Sequence, residues 1–260
     1  MLCPGSTENK HSRETKDWGE KTMFAIKAFS STCSFSLAML LASNAPAQQT
    51  RSNMIAIDVL IEVDAAMIDK ANAVNARLRQ NYPQGYALDA AHAPHITLVQ
   101  RFVRTSDLNA VAVAVTEAAQ SGPTLPIKLT ATGFASTEWG GVGVVVYLVD
   151  RSPELLQLAS KIEEAVRPFA VSGGSADAFA KAPGEQINAD TIKYVEEFVL
   201  ASTGQKYLPH VTLGTAHPDF VKALEAAPFE KFAFSGVNIA IYQLGNFGTA
   251  QKRLWARRQQ

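Results

Sequence analysis

Two nearly identical pentapeptides contain two of the five histidines in this 260-residue chain. Residues 94–98 read Pro-His-Ile-Thr-Leu, and residues 209–213 read Pro-His-Val-Thr-Leu. Because successive side chains of a strand point to opposite faces, the histidine and the threonine of each pentapeptide share one face. The apolar positions alone would build such strands, so the repeated polar positions indicate a function. The pattern predicts one site with two imidazoles and two hydroxyls.

Two imidazoles that flank a phosphate can cleave a phosphodiester without a metal. One takes a proton from the attacking oxygen and the other protonates the leaving oxygen, and the unperturbed pKa of histidine, about 6.5, suits both roles. Thr97 and Thr212 can donate hydrogen bonds to the non-bridging oxygens, where charge develops. We therefore predict His95 and His210 as a catalytic pair, with the roles of acid and base left open, acting on a 2′,3′-cyclic phosphate or a 2′-5′ phosphodiester.

Four further side chains are candidates for substrate binding. Arg101 has the parity of the first motif's histidine, so it faces the site if the strand runs straight and can bind phosphate, or it is a solvated strand end. Lys206 and Tyr207 precede the second motif and either contact phosphate and stack on a base or form a turn. Tyr242 either stacks on a base or packs in the core.

Other kinds of site have weaker support in the sequence. His92 and His217 flank the motifs and offer a four-histidine metal site as an alternative, but no acidic residue sits beside them at ligand spacing. The chain has no P-loop, no dinucleotide-binding glycine motif after a strand and no Gly-x-Ser-x-Gly. We therefore expect no metal and no cofactor, and any ligation would be the reversal of cleavage.

The first 47 residues differ in character from the rest of the chain. Lys21 and Lys27 are followed by the apolar run 35–42 and then by Ala-Pro-Ala at 45–47, which is the pattern of a secretory signal peptide. The apolar run is too short to span a bilayer. We predict a leader over residues 1–47, cleavage after Ala47 and a periplasmic or secreted protein, with a cytoplasmic location as the alternative.

The balanced charge of the chain bears on its partner, and the positions of its cysteines bear on disulfides and metal sites. The 24 Lys and Arg balance the 24 Asp and Glu, which argues against a protein that holds duplex nucleic acid by its phosphates. A small cyclic nucleotide or an RNA end fits better, and we expect a monomer without stable membrane insertion. Both cysteines, Cys3 and Cys33, lie in the predicted leader, so the mature chain would have no disulfide and no thiolate metal site.

The elements repeat in order along the two halves of residues 48–260. A strand and a helix capped by Asp64 lead to the first motif strand, and a helix and a strand pair follow it. A helix that begins at Ser152 and the segment 171–189, read as a loop, lead to the second motif strand, which is again followed by a helix and a strand pair. This order predicts an α+β fold of two pseudo-symmetric lobes, each giving one motif strand to a central groove.

The two His-x-Thr motifs resemble those of the 2H phosphoesterase superfamily, which includes the bacterial RNA 2′,3′-cyclic phosphodiesterases also called 2′-5′ RNA ligases. The closing segment 237–255, with Tyr-Gln-Leu-Gly at 242–245 and Gly-Thr-Ala at 248–250, is similar to a bacterial branch of that family. The resemblance covers most of residues 48–260. It implies a single bilobal domain in which two antiparallel sheets face a central groove and the helices lie outside.

The resemblance also implies roles for the motif residues. It makes His95 and His210 the acid/base pair and has Thr97 and Thr212 hold the phosphate. The expected activity is that of a cyclic phosphodiesterase. The alternative is a non-catalytic periplasmic or regulatory protein that binds a phosphorylated ligand in the same groove. An exported member would depart from the intracellular RNA processing expected of the family.

Overall fold

A computed structural model describes residues 53–257, and the predicted leader and its cleavage site lie outside this range. Within it, no helix is long and apolar enough to cross a membrane. The helices are α1 (Ala65–Asn81), α2 (Leu108–Gln120), α3 (Pro153–Val166), α4 (Ala189–Ser202) and α5 (Pro218–Ala226). The strands are β1 (Met54–Val63), β2 (His95–Arg104), β3 (Ile127–Trp139), β4 (Val142–Val149), β5 (Ala170–Val171), β6 (His210–Ala216), β7 (Phe232–Leu244) and β8 (Ala250–Ala256).

Short polar side chains set the starts of three helices. Asp64, Ser152 and Asn188 each accept a hydrogen bond from the backbone N–H three residues on, at 3.0, 3.2 and 2.6 Å. Such caps satisfy N–H groups that a helix leaves unpaired. The helix starts expected at Asp64 and Ser152 are confirmed.

The strands pair antiparallel in the order β5-β2-β1-β7-β3-β4-β6, with β8 added to β7. β7 lies between two lobes, one containing β1 and β2 and the other containing β3, β4 and β6. The expected α+β fold is confirmed. The two antiparallel halves are joined, because β1 and β3 both pair with β7, and together they form one hydrogen-bonded sheet. The motif strands β2 and β6 are far apart in this order, yet they lie against each other in space. The sheet therefore curls and brings them together.

Each motif strand has a β-bulge directly after its threonine. The pairing of β2 with β1 skips Leu98, and the pairing of β6 with β4 skips Leu213. A bulge adds one residue to one strand, so the residues beyond it face the side opposite to that expected from simple alternation. As a result, Gln100 instead of Arg101 lies on the face of the first motif's histidine.

The bulge in β6 is held by Asn75, a buried residue of α1. Its Nδ2 donates to the carbonyls of Leu213 (2.8 Å) and Tyr86 (3.0 Å), and its Oδ1 accepts from the N–H of Leu88 (3.2 Å). Gly214 has a φ of 138°, and a Cβ there would lie 2.7 Å from Asn75 Nδ2. One amide thus fixes both the second motif strand and the segment that leads to the first.

The main apolar core lies on the face of the sheet opposite the motif histidines. The apolar residues of the two pentapeptides, Ile96, Leu98, Val211 and Leu213, are all buried in it. α1 packs on β6, and α3 packs on β2. Burial of each such side chain stabilises the fold by roughly 1.5–3 kcal/mol. The alternation within each motif therefore anchors one face and leaves the polar face for the groove.

The β3–β4 hairpin extends further than the sequence indicates. From composition, residues 126–134 read as a strand that ends at Phe134, but β3 spans Ile127–Trp139. The turn consists only of Gly140 and Gly141, whose φ values are 61° and 81°. Glycine adopts such positive values without steric cost, and two of them form the tight turn that suits a twisted hairpin. The extension carries Trp139 to the groove.

Candidate active site

Both motif histidines line a single cavity of ≈ 180 Å³. His95 and Thr97 contribute from β2, and His210 and Thr212 contribute from β6. The two imidazoles are close enough for the charge of His95 to lower the pKa of His210. The curled sheet therefore assembles the four polar motif residues around one volume.

The two histidines are oriented by the same hydrogen bond, from Nδ1 to the backbone carbonyl two residues earlier. Nδ1 of His95 lies 2.6 Å from the carbonyl oxygen of Ala93, and Nδ1 of His210 lies 2.7 Å from that of Leu208. In each case a proline separates the carbonyl from the histidine and holds the preceding residue in an extended conformation. Because a carbonyl can only accept, Nδ1 carries a proton in both rings. Nε2 is therefore the atom available for proton transfer.

Asp58 of β1 is fully buried beside the first motif. Its Oδ2 accepts hydrogen bonds from Thr97 Oγ1 (2.7 Å) and Gln100 Nε2 (3.0 Å), and it lies 3.4 Å from His95 Nε2. Asp58 was not among the site residues predicted from the sequence. The sequence contains a feature that could have identified it: Asp58 is the one charged residue within the apolar run 55–61.

The pKa values of the two histidines shift in opposite directions, and Asp58 lies beside only one of them. Burial lowers the pKa of His95, but the hydrogen bond and the charge of Asp58, with the carbonyl of Ala93, raise that pKa above its ordinary value. Burial lowers the pKa of His210, and the nearby His95 lowers it further. The carbonyl of Leu208 and the distant charge of Asp58 do not offset these effects. His95 therefore holds its proton to higher pH than His210 does.

The electrostatic difference between the lobes follows from one pair of positions. Asp58 of β1 pairs with Gln100, the third residue after the motif threonine of β2. Val144 of β4 pairs with Thr215, the third residue after the motif threonine of β6, so Asp58 and Val144 occupy equivalent positions. Val144 lines the cavity and brings no charge. The pseudo-symmetric backbone therefore supports two chemically different half-sites.

The two motif threonines also differ. Thr97 donates its hydroxyl hydrogen to Asp58. Thr212 lines the same cavity, and within residues 53–257 its hydroxyl makes no hydrogen bond. Thr212 can therefore bind a phosphate oxygen directly, whereas Thr97 must exchange its bond to Asp58 to do so.

Arg101 lies on the side of the strand away from the cavity, so the expectation that it faces the groove is wrong. The bulge at Leu98 reverses the alternation, and Arg101 Nη2 contacts Glu163 Oε1 of α3 at 3.4 Å. Its place on the groove face is taken by Gln100. Simple strand parity could not locate the bulge, because the bulge depends on the pairing with β1.

The other three predicted binding residues do not line the cavity. Lys206 donates to the carbonyl of Leu200 at the end of α4 (2.8 Å), and buried Tyr207 donates to the carbonyl of Thr97 (2.8 Å). Tyr242 is buried and donates to Glu62 Oε1 (3.1 Å). Of the alternatives raised for Tyr242, core packing is the one observed. Tyr207 links the segment before the second motif to the first motif strand.

The histidines that flank the motifs lie in separate environments. His92 contacts Asp89 at 3.0 Å and stacks on Tyr86, and His217 packs edge to face on Tyr82. In the part of the chain that the structure describes, no three His, Cys, Asp or Glu side chains come together to hold a metal ion. The four-histidine alternative is therefore not assembled there.

Three aromatic residues that sequence reasoning did not place at the site form one wall of the cavity. They are Trp139 from the hairpin tip, Tyr194 from α4 and Phe247 from the turn between β7 and β8. The ring of Trp139 lies 5.5 Å from that of Tyr194 and 5.6 Å from that of Phe247, in edge-to-face contacts. Burial and the charge of Asp58 raise the pKa of Tyr194 to about 12, so Tyr194 stays neutral.

The curled antiparallel sheet, with a His-x-Thr strand from each lobe at one cavity, defines an α+β protein with a two-histidine site. The family model described as the 2′-5′ RNA ligase superfamily matches residues 67–246. Since the match spans more than half of the chain, the protein belongs to this superfamily, the 2H phosphoesterases.

Two solved structures are similar to parts of the chain at low sequence identity. LigT of Escherichia coli complexed with NADP+ is 16% identical with a TM-score of 0.40, and the match covers 80% of this chain and 100% of that one. TT0787 of Thermus thermophilus is 12% identical with a TM-score of 0.49, over 78% of this chain and 96% of that one. No curated protein matches the chain significantly. The family assignment therefore rests on the family model.

Proposed function

We propose that the protein is a metal-independent phosphodiesterase that hydrolyses 2′,3′-cyclic phosphates of nucleotides or RNA ends. The observation that carries this proposal is the pair of imidazoles at one cavity, with the pKa of one raised and that of the other lowered. Two titratable groups whose environments separate their pKa values form an acid and a base that coexist at neutral pH.

The shifts assign the two roles. His210, neutral with a free electron pair on Nε2, takes a proton from water as the water oxygen attacks phosphorus. His95, protonated on Nε2, gives its proton to the ribose oxygen as the P–O bond to that oxygen breaks. The products are a phosphomonoester and a free ribose hydroxyl. Exchange of one proton with solvent at each ring restores the starting state.

The hydroxyls and Asp58 support this reaction in different ways. Thr212 donates to a non-bridging oxygen, where negative charge grows in the transition state. Asp58 does not touch the phosphate and acts through His95 as a positioning residue. If a ribose 5′-hydroxyl replaces water, the same proton transfers join two ends: His210 takes the proton of the attacking 5′-hydroxyl, and His95 protonates the ribose oxygen that leaves phosphorus. This step would account for 2′-5′ ligation in the superfamily.

The test is a hydrolysis assay with a panel of 2′,3′-cyclic nucleotides and with RNA that ends in a cyclic phosphate, each with and without EDTA. We expect turnover that EDTA does not reduce. Ligand binding without turnover would instead support the alternative of a binding protein, and activity lost with EDTA and restored by zinc or manganese would reject the metal-independent mechanism.

A further inference from the structure

The strand pairings of the sheet do not by themselves fix the separation of the two imidazoles. Four strands, β1, β7, β3 and β4, lie between the motif strands β2 and β6 in the hydrogen-bonded order. Neighbouring strands are rotated relative to each other by roughly 10–35°. This variation accumulates over the five pairings that connect the motifs, so a direct contact is needed to hold His95 and His210 at a fixed separation.

The hydroxyl of Tyr207 makes such a contact between the two motifs. It donates to the carbonyl oxygen of Thr97 over 2.8 Å, although the two residues are 110 positions apart in the chain. Among residues 53–257, this is the one hydrogen bond that joins β2 to the segment 203–216, which contains β6. Tyr207 is only 5% exposed, and burial together with the charge of Asp58 raises the pKa of its hydroxyl, so the hydroxyl keeps the proton that it donates.

Both ends of this hydrogen bond lie close to the imidazoles along the chain. Thr97 follows His95 by two residues on the same strand. Tyr207 directly precedes Leu208, whose carbonyl accepts from Nδ1 of His210 at 2.7 Å. A displacement at either end is therefore transmitted to an imidazole through only two or three residues of backbone.

Packing alone does not hold the ring of Tyr207 in place. The ring belongs to the main apolar core and does not line the catalytic cavity. Tyr207 and Leu98 instead border a separate cavity of ≈ 270 Å³ on the side of α3. Because packing on that side is incomplete, the directional hydrogen bond to Thr97, more than the fit of the ring, sets the distance between Tyr207 and β2.

We propose that Tyr207 is a positioning residue of the reaction: its hydroxyl ties the two motif strands together and sets the separation of the imidazoles of His95 and His210. Tyr207 acts through the two histidines and does not touch the substrate. Without its hydrogen bond the strands move apart, and a misplacement of about 1 Å can lower a rate about 10²-fold. The inference rests on the proposed function and adds a residue on which that reaction depends.

The first test is the kinetics of Tyr207→Phe, which keeps the buried ring and removes only the donor. With a 2′,3′-cyclic nucleotide as substrate, kcat should fall on the order of tenfold to a hundredfold. KM should stay nearly unchanged, because Tyr207 does not line the cavity. The matched control is Tyr147→Phe in β4, a buried tyrosine of the same core whose hydroxyl makes no hydrogen bond within residues 53–257, and it should keep the wild-type kcat.

The second test is the pKa of His210, which a merely structural role would not move. Burial lowers this pKa and the charge of His95 lowers it further, whereas the carbonyl of Leu208 and the charge of Asp58 raise it. Tyr194 of α4 lines the same cavity but stays neutral. Since the repulsion between two like charges weakens with distance, separation of the imidazoles should raise the pKa of His210.

NMR titration of the imidazole nitrogens measures this pKa without turnover. In Tyr207→Phe the pKa of His210 should be higher than in the wild type, and the acid limb of kcat/KM should move to higher pH by the same amount. The control for lost stability is Val115→Ala, a fully buried change in α2 that lowers Tm away from the motifs. It should leave the pKa of His210 unchanged.

The outcomes separate the role of Tyr207 from the proposed function. An unchanged pKa of His210 in Tyr207→Phe, or the same loss of kcat in Val115→Ala, would overturn the positioning role and leave the phosphodiesterase intact. If the wild type does not hydrolyse the cyclic nucleotide, the phosphodiesterase proposal fails, and the titration of His210 still decides whether Tyr207 sets the separation of the imidazoles.

A second substitution at the same position keeps the test open if Tyr207→Phe does not fold. p-Aminophenylalanine at position 207 retains a weaker donor on the same ring. Its kcat should be lower than that of the wild type and its His210 pKa higher, each by less than in Tyr207→Phe. Wild-type values of both quantities in this variant, with no folded Tyr207→Phe to compare, would also overturn the positioning role.

Discussion

Asp58 and Val144 occupy equivalent positions beside the two motif strands, and only Asp58 carries a charge. The carboxylate lies 3.4 Å from His95 Nε2, and the valine leaves His210 in an environment dominated by burial. A duplicated backbone thus brings two imidazoles to one cavity, and their pKa values shift in opposite directions, with Asp58 beside only one of them.

Removal of either imidazole should abolish most turnover without unfolding the protein. General acid or base catalysis contributes about 10²- to 10⁴-fold, so His95→Ala and His210→Ala should each lower kcat by at least about 10²-fold. The measurement is steady-state hydrolysis of a 2′,3′-cyclic nucleotide, with circular dichroism and Tm to verify the fold. Full activity in either folded variant would reject the mechanism.

The pH dependence of kcat/KM should be bell-shaped. The base must be neutral and the acid protonated. Activity therefore rises with pH through the lowered pKa of His210 and falls through the raised pKa of His95, on either side of the ordinary value of 6.5. A profile with a single limb would contradict the two-histidine assignment.

Removal of the Asp58 charge should move the alkaline fall of kcat/KM to lower pH. Asp58→Asn keeps an oxygen that can accept from Thr97 but removes the charge, so the pKa of His95 falls and the limb moves to lower pH. The control is Glu196→Gln in α4, because the Glu196 carboxylate accepts from the N–H of Gly173 and does not line the cavity. An alkaline limb at the same pH in Asp58→Asn would exclude the positioning role.

The two threonines should differ in what they contribute to stability. Loss of a transition-state hydrogen-bond donor costs about 10²- to 10³-fold, so Thr97→Val and Thr212→Val should both reduce kcat. Only Thr97→Val also removes a donor from buried Asp58, which should lower the free energy of unfolding by about 1–3 kcal/mol. Urea denaturation of both variants measures the difference, and equal stability would refute this distinction.

The bulge in β6 should depend on the amide of Asn75. Asn75→Ala leaves the buried carbonyl of Leu213 unpaired, which should cost at least about 1–3 kcal/mol in the free energy of unfolding and reduce kcat through displacement of the second motif strand. Asn72→Ala on the exposed face of the same helix is the control and should change stability little. The two results are compared by urea denaturation and by the same hydrolysis assay.

Export remains a proposal that cleavage of the leader can test. We expect the full chain, expressed in a bacterium, to yield a periplasmic product that starts at Gln48 by mass spectrometry. Such a product has neither Cys3 nor Cys33 and should not react with a thiol reagent. An uncleaved, thiol-reactive protein in the cytosol would support the cytoplasmic alternative.

Much of the fold follows from local sequence patterns. The starts of α1 and α3 were predictable because Asp64 and Ser152 are short polar caps that act within one helical turn. The two motif strands were predictable because each carries its own alternation of apolar and polar residues. The long end of β3 was not, since the polar residues 136–138 are stabilised by pairing with β4 and not by their own propensity.

By itself, the sequence determined which four polar side chains form the candidate site, because a repeated His-x-Thr alternation is a local property of two strands. Tertiary structure alone decided their partners. The bulge at Leu98 exchanged Arg101 for Gln100, and the pairing of β1 with β2 placed Asp58 beside His95. The curl of the sheet brought the two motif strands to one cavity. Bulges, curl and buried charge arise from pairing between segments distant along the chain, so no local pattern records them.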